Sequence, residues 1–282
     1  VLVARAPING DTLNWARELG RVTLEDLAKA VGVKPERIME FEAGESLPTF
    51  RQLTLMASKL DRPLGFFFAP APAEPDVPNT ADFRGRLHDE LPADLAREMR
   101  RAEQHRDAML DLATTHGEKL ELRPLSWENL KDQVADVRRQ FGLLDTFVPT
   151  ESQVNQVFNF WRGLIEAKNI LVFQTTKIAL GTFRGLSIHH DRLPVILING
   201  GDSASGRTFT LFHELAHLAN RTSGLCVLKE NINEEALANS FAANFLMPEN
   251  SVRRQLRPID DSYELSGHLA SVFKVSPLAA AV

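Results

Sequence analysis

Cysteine is nearly absent. Cys226 is the only one in 282 residues, so no internal disulfide framework can form and no second thiolate exists to complete a cysteine zinc site. That scarcity fits a reducing, cytoplasmic setting. Excess positive charge is missing too. With 32 Lys and Arg against 37 Asp and Glu the net charge is −5, which argues against a binder of polyanions through the whole surface. No apolar run approaches the ~20 residues that span a bilayer, and the N-terminus carries no signal-peptide pattern, so no membrane role is expected. A composition of 44% hydrophobic and 24% charged residues is that of an ordinary globular chain, long enough for one large or two modest domains. The chain begins at Val1 and ends in the helix-like PLAAAV, so it is expected to continue beyond residue 282.

What the sequence does hold is RTFTLFHELAHLANRTSG, in which His213 and His217 stand four residues apart. On a helix they share a face and offer two imidazole nitrogens to one tetrahedral metal. Glu214, about 100° round the helix, can take the proton of a water at the metal's open position. Phe209, Leu211, Phe212, Leu215, Ala216 and Leu218 make the segment apolar, so the helix should be mostly buried. Buried histidines beside a buried glutamate are costly without a partner, and a metal would supply one. The competing reading is a core helix whose histidines are satisfied by ordinary hydrogen bonds.

After a polar loop, NINEEALANSFAANFLMP is expected to form the next helix, with Asn233 as N-cap and Pro248 as its stop. Glu235 is the expected third ligand. Asn239, one turn on, shares its face and could hydrogen-bond the outer nitrogen of one histidine and set its tautomer. Glu234 competes for the ligand role, and both glutamates could instead serve only as partners of the helix dipole. Two histidines and a carboxylate favour zinc and admit manganese.

FTLFHELAHL followed by EEALANSFAANFLMP resembles the ImmA/IrrE metallopeptidases, as does the upstream run FRGLSIHHDRLPVILING. The likeness extends from about Asp82 to the end; Phe212 replaces the alanine often found before the first histidine, a change in packing rather than chemistry. The resemblance implies a zincin-like domain with His213 and His217 as ligands, Glu214 as general base and Glu235 as third ligand. It further implies a protein substrate, typically a helix-turn-helix repressor whose cleavage switches on stress, prophage or mobile-element genes. The other class of function is a DNA-binding transcriptional regulator or antitoxin-like protein whose metal domain senses or scaffolds.

Residues 11–68 read as a compact helical unit, with Thr23 capping the second helix, Gly32 ending it and Pro35 opening the third. The stretch TLEDLAKAVGVKPERIMEFEAGESLPTFRQLTLMASKL resembles the XRE-type, lambda-repressor-like helix-turn-helix domains, including Glu42-Ala43-Gly44, Pro48 and Leu53. Leu24 and Glu25 stand where DNA-binding members often have a glutamine. Arg17, Arg21, Lys34, Arg37 and Arg51 are the candidate phosphate contacts, with Lys34 and Arg37 as base readers. Glu36, Glu40 and Glu42 oppose them, so a module that dimerises or docks a protein, for instance in a homodimer, is the alternative.

Gly65 to Phe68 should bury three aromatics, and the four prolines of PAPAEPDVPNT mark a linker. The expected organisation is therefore 1–69 helix-turn-helix, 70–81 linker and 82–282 peptidase. The expected fold class is α+β and mostly helical, with a small antiparallel sheet. In the second part, helices are expected from Ala93 to about His116, from Leu125 to Phe141 with Ser126 as cap, from Ser152 to Ala167, and from Asp261 to Phe273. ILVFQ reads as a strand, and ALGTFRGLSIHH and LPVILIN as an antiparallel pair. His189 and His190 should lie exposed at its tip, and Gly200 to Gly206 should form a flexible loop before the metal helix. Tyr263, the only tyrosine, and His268 are candidate donors to an oxyanion.

Overall fold

The computed structural model describes residues 4–72, 92–112, 118–150, 153–221, 232–256 and 262–281. Most of the expected linker, the ADFRGR segment, His116 and Cys226 lie outside the described residues. Two compact units emerge, Val1–Pro78 with Leu91–Arg101, and Asn79–Glu90 with Ala102–Val282. No helix among the described residues is long and apolar enough to cross a membrane.

The first unit is built from α1 (Gly10–Leu19), α2 (Leu24–Val31), α3 (Pro35–Glu42) and α4 (Phe50–Leu60), followed by a 3-10 turn over Leu64–Phe68. Its boundaries follow local chemistry. The Thr23 hydroxyl accepts from the Asp26 amide, Gly32 ends α2 in the left-handed region at φ 76°, and Pro35 starts α3. Thr49 and Gln52 form a reciprocal capping box on α4. Leu13, Leu27, Ile38, Phe41, Leu53, Met56 and Phe67 fill the core. Of the three aromatics expected inside, only Phe67 is fully buried; Phe66 packs edgewise on Phe67 and beside Trp15, and Phe68 is exposed, because a 3-10 turn points successive side chains to different sides.

Helix α5 (Ala93–Leu112) contributes its first residues to this unit and the remainder to the second. Leu95, Met99 and Ala102 are buried, whereas Met109 and Leu112 are exposed. The second unit continues with α6 (Leu130–Gln140), α7 (Val154–Glu166), β1 (Leu171–Thr175), β2 (Gly185–Ile188), β3 (Val195–Asn199), α8 (Ala204–Ala219), α9 (Ile232–Leu246), α10 (Glu249–Gln255), α11 (Ser262–Phe273) and α12 (Pro277–Ala281). The fold is α+β and mostly helical.

The sheet is mixed rather than wholly antiparallel. Its order is β1-β3-β2, with β2 antiparallel to β3 as expected and β1 parallel to it, Phe173 opposite Leu197. All five β3 residues are buried, as a central strand covered on both faces requires. Helix α8 lies against β2, β3, α7 and α9, and Phe212, Trp161 and Phe245 meet ring to ring in that core.

Several boundaries differ from expectation for local reasons. Helix α6 starts at Leu130, because the Asn129 side chain folds back to accept from the Ser126 amide and to donate to the Pro124 carbonyl. Helix α9 starts at Ile232, which places Asn233 inside its first turn. Pro248 ends α9 and then serves as N-cap of α10, a helix not anticipated. The Gly200–Gly206 stretch is pinned: the Asn199 carboxamide accepts from the Gly201 amide and donates to the Ile178 and Phe183 carbonyls, and Ser203 caps α8 by accepting from Gly206.

Candidate metal centre

His213 and His217 project from one face of α8, deep in its buried second half. Glu235 reaches the same place from the first turn of α9. His217 Nε2 lies 3.1 Å from His213 Nε2 and 3.2 Å from one Glu235 oxygen. His213 Nε2 lies 3.3 Å from the other oxygen. A tetrahedral shell with bonds of ~2.0–2.1 Å places its ligands ~3.3 Å apart, close to the spacing of these three atoms.

The donor chemistry fits as well. His213 Nδ1 donates to Asn239 Oδ1 at 2.9 Å, so in its neutral form the ring turns the Nε2 lone pair toward the other two donors. That lone pair faces a second imidazole nitrogen and a carboxylate, an arrangement that repels itself unless a cation or proton lies between. Among the described residues, these three are the group able to hold a metal ion.

The carboxylate and imidazole adjust to each other. Burial raises the Glu235 pKa, but hydrogen bonds and charge from His213 and His217 outweigh it and bring the group down to about 2. For His217 burial is the largest influence and lowers its pKa, yet the Glu235 hydrogen bond and the charges of Glu214, Glu235 and Glu234 together raise it above 6.5. Glu234 acts here through its field; it does not join the three donors.

Glu214 is fully buried beside the histidines. Its neighbour is one that sequence reasoning missed. A Cβ placed on Gly185, the first residue of β2, would stand 2.9 Å from Glu214 Oε1 and 2.4 Å from Thr210 Cγ2. Only a residue without a side chain lets the strand lie this close to the helix, and a lone glycine inside an apolar strand is the signal that could have flagged it.

The other candidate residues differ in exposure and partners. Tyr263 is 81% exposed at the start of α11. His268, on the same helix, is half-buried, and its Nε2 has no hydrogen-bond partner among the described residues. His190 is not exposed at a hairpin tip: its Nε2 sits 3.0 Å from Glu103, and both side chains are largely covered. In the first unit Arg17 is committed to Glu42 through two hydrogen bonds of 2.6 and 3.1 Å, which withdraws it from phosphate contact. Arg37 is paired with Glu40 and covers the Phe41 ring. Lys34 and Arg51 are exposed, and Arg21 is half-exposed.

Residues 165–282 match the peptidase M78 family model, described as the IrrE N-terminal-like domain, and residues 13–67 match a helix-turn-helix family model. A stretch similar to the ImmA/IrrE family thus follows a stretch similar to XRE-type helix-turn-helix domains in one chain. Comparison with curated proteins gives no match. The ImmA/IrrE match takes in the end of α7 and everything after it, so all three converging donors, Glu214 and Gly185 fall inside it.

Proposed function

We propose that the ImmA/IrrE domain is a zinc-dependent endopeptidase, with His213, His217 and Glu235 holding the ion, manganese being the other metal this donor set admits. The observation that carries the reading is the spacing of the three donor atoms on two packed helices. A divalent ion bound there supplies a Lewis acid that polarises a peptide carbonyl and acidifies a water. The remaining roles belong to the chain. Asn239 fixes the His213 ring so that Nε2 points inward, and Glu214, placed by the close approach of Gly185, accepts a proton from the attacking water and passes it to the leaving amine.

The substrate proposed is a protein, specifically a helix-turn-helix repressor of stress or mobile-element genes, cleaved in the cytoplasm. The test is incubation of the full chain plus zinc or manganese with repressors encoded near it, followed by mass spectrometry of fragments. Glu214→Gln should keep the metal and reduce cleavage about 10²–10⁴-fold. Undiminished turnover by that variant would refute the assignment.

The helix-turn-helix match favours a second reading, a DNA-binding regulator whose metal domain senses or scaffolds. Exposed Lys34 and Arg51 and half-exposed Arg21 would then contact phosphates. An operator complex that weakens steeply with salt, with no cleavage under either metal, would support this reading over the first.

A further inference from the structure

Asn199 is the last residue of the central strand β3, and it is fully buried. A carboxamide shut away from water must place its hydrogen bonds within the protein, and this one divides them between two segments. Its Nδ2 donates to the Ile178 and Phe183 carbonyls, each at 2.9 Å, and its backbone N–H donates to the Arg184 carbonyl at 2.8 Å. The connection from β1 to β2 is thereby fastened near both ends, the last bond one residue before Gly185. On the other side, Asn199 Oδ1 accepts from the Gly201 amide at 2.9 Å, and the Gly200 amide donates to the Thr175 carbonyl at 2.7 Å. One side chain therefore holds both the entry to β2 and the turn that leads into α8.

Those two elements meet at Glu214. A Cβ on Gly185 would stand 2.9 Å from Glu214 Oε1 and 3.1 Å from its Cγ, so the carboxylate lies directly against the β2 backbone. Gly185 has no side chain with which to set that distance. It is set by where β2 and α8 begin, and the Asn199 hydrogen bonds join the two beginnings. The three converging donors have a different support, because Glu235 reaches the histidines from α9 and Asn239 orients His213 from the same helix. A slip of β2 along α8 would thus move Glu214 and leave the other three in place.

We propose that Asn199 is a positioning residue for Glu214: it ties the start of β2 to the start of α8 and so sets where the carboxylate stands relative to His213, His217 and Glu235. A buried polar network with its bonds made is rigid, and a displacement of ~1 Å at a reacting group costs on the order of 10²-fold in rate. The consequence for turnover rests on the peptidase reading; the placement of the carboxylate does not.

The test is Asn199→Asp, which keeps the size and the acceptor but turns the donor nitrogen into an oxygen facing two carbonyl oxygens. In the zinc-loaded full chain the Glu214 carboxyl carbon resonance, assigned by its loss in Glu214→Gln, should move, and the His213 Nδ1 proton resonance should stay. Zinc affinity against a competing chelator should remain within about threefold, while kcat falls about 10²-fold and KM changes less than about threefold. Added to Glu214→Gln, the substitution should cost less than about threefold more, since two changes acting through one group do not add. An unmoved carboxyl resonance overturns the proposal, as do parental turnover, zinc affinity that falls with turnover, or losses that multiply in the double variant. If the parent cleaves nothing with zinc or manganese, the peptidase reading fails on its own, and the carboxyl resonance alone decides for or against the placement. Should Asn199→Asp lose its circular dichroism, Asn199→Ser carries the same measurements. If neither folds, Asn199 serves folding rather than Glu214, and the proposal is overturned.

Discussion

Glu214 is held between its own helix and the backbone of β2, and Gly185 sets the clearance. Because Cβ contacts under 3.0 Å do not occur in relaxed structures, Gly185→Ala must push Thr210 Cγ2, now 2.4 Å from the Cβ position, or displace the strand. Such over-packing of a closed core costs about 1–3 kcal/mol. We expect that loss in a denaturant melt, and partial recovery in the double variant with Thr210→Ser, which removes the methyl group struck first. Equal stability of parent and Gly185→Ala would show that the contact is not tight.

His217 gives a pH prediction of definite sign. Its pKa is raised above 6.5, so near that pH and somewhat above it the imidazole still holds a proton that an incoming ion must expel. Metal affinity should therefore climb as pH rises through this range and level off only once His217 is neutral. Below the raised pKa the affinity should fall about tenfold per pH unit for one displaced proton. Titration against a competing chelator from about pH 6 to about pH 8 reads this directly, and a flat profile would contradict it.

At the scale of elements, α9 must be held firmly for Glu235 to meet the two histidines, and Arg138 of α6 does much of that. This arginine is buried and donates to the Phe245 carbonyl at 2.7 Å, the Phe147 carbonyl at 2.9 Å and the Leu144 carbonyl at 3.1 Å. Burial lowers its pKa to about 10, with Asp145 opposing, so it remains charged at neutral pH. Arg138→Ala would strand three carbonyls and should cost about 3–5 kcal/mol. A shift in the urea midpoint worth less than about 1 kcal/mol would show that water replaces the guanidinium.

The elements differ in how plainly the sequence announced them. Helices α2, α3 and α8 carry most of their signals within a dozen or so residues, and helical spacing alone sets His213 and His217 on one face, whereas Glu235, on α9, was singled out only by its shared face with Asn239 and by the family resemblance. Strand order was not legible, since the parallel seat of β1 beside β3 depends on contacts far apart in sequence. Pro248 has two local meanings, stop and start, and only packing chose both. Arg17 carried no sign that Glu42, 25 residues away, would claim it.

Across the whole molecule, the two units own separate apolar cores with no residue in common, one centred on Leu27, Phe41 and Leu53, the other on Trp161, Phe212 and Phe245. The three converging donors belong wholly to the second. An ion that binds only the folded site stabilises the unit that forms it, by about 4 kcal/mol when present at a thousand times its dissociation constant. Removing it with a chelator should therefore lower one calorimetric transition and leave the other in place. Tryptophan emission assigns them, because Trp15 lies in the first unit and exposed Trp127 and fully buried Trp161 in the second; a Trp15→Phe variant isolates the second unit's signal. If the transition followed by Trp161 stays fixed while metal is stripped, the donors bind no ion of consequence to folding. If both transitions fall together, the two cores do not unfold as separate cooperative units, and the division of labour between them is lost.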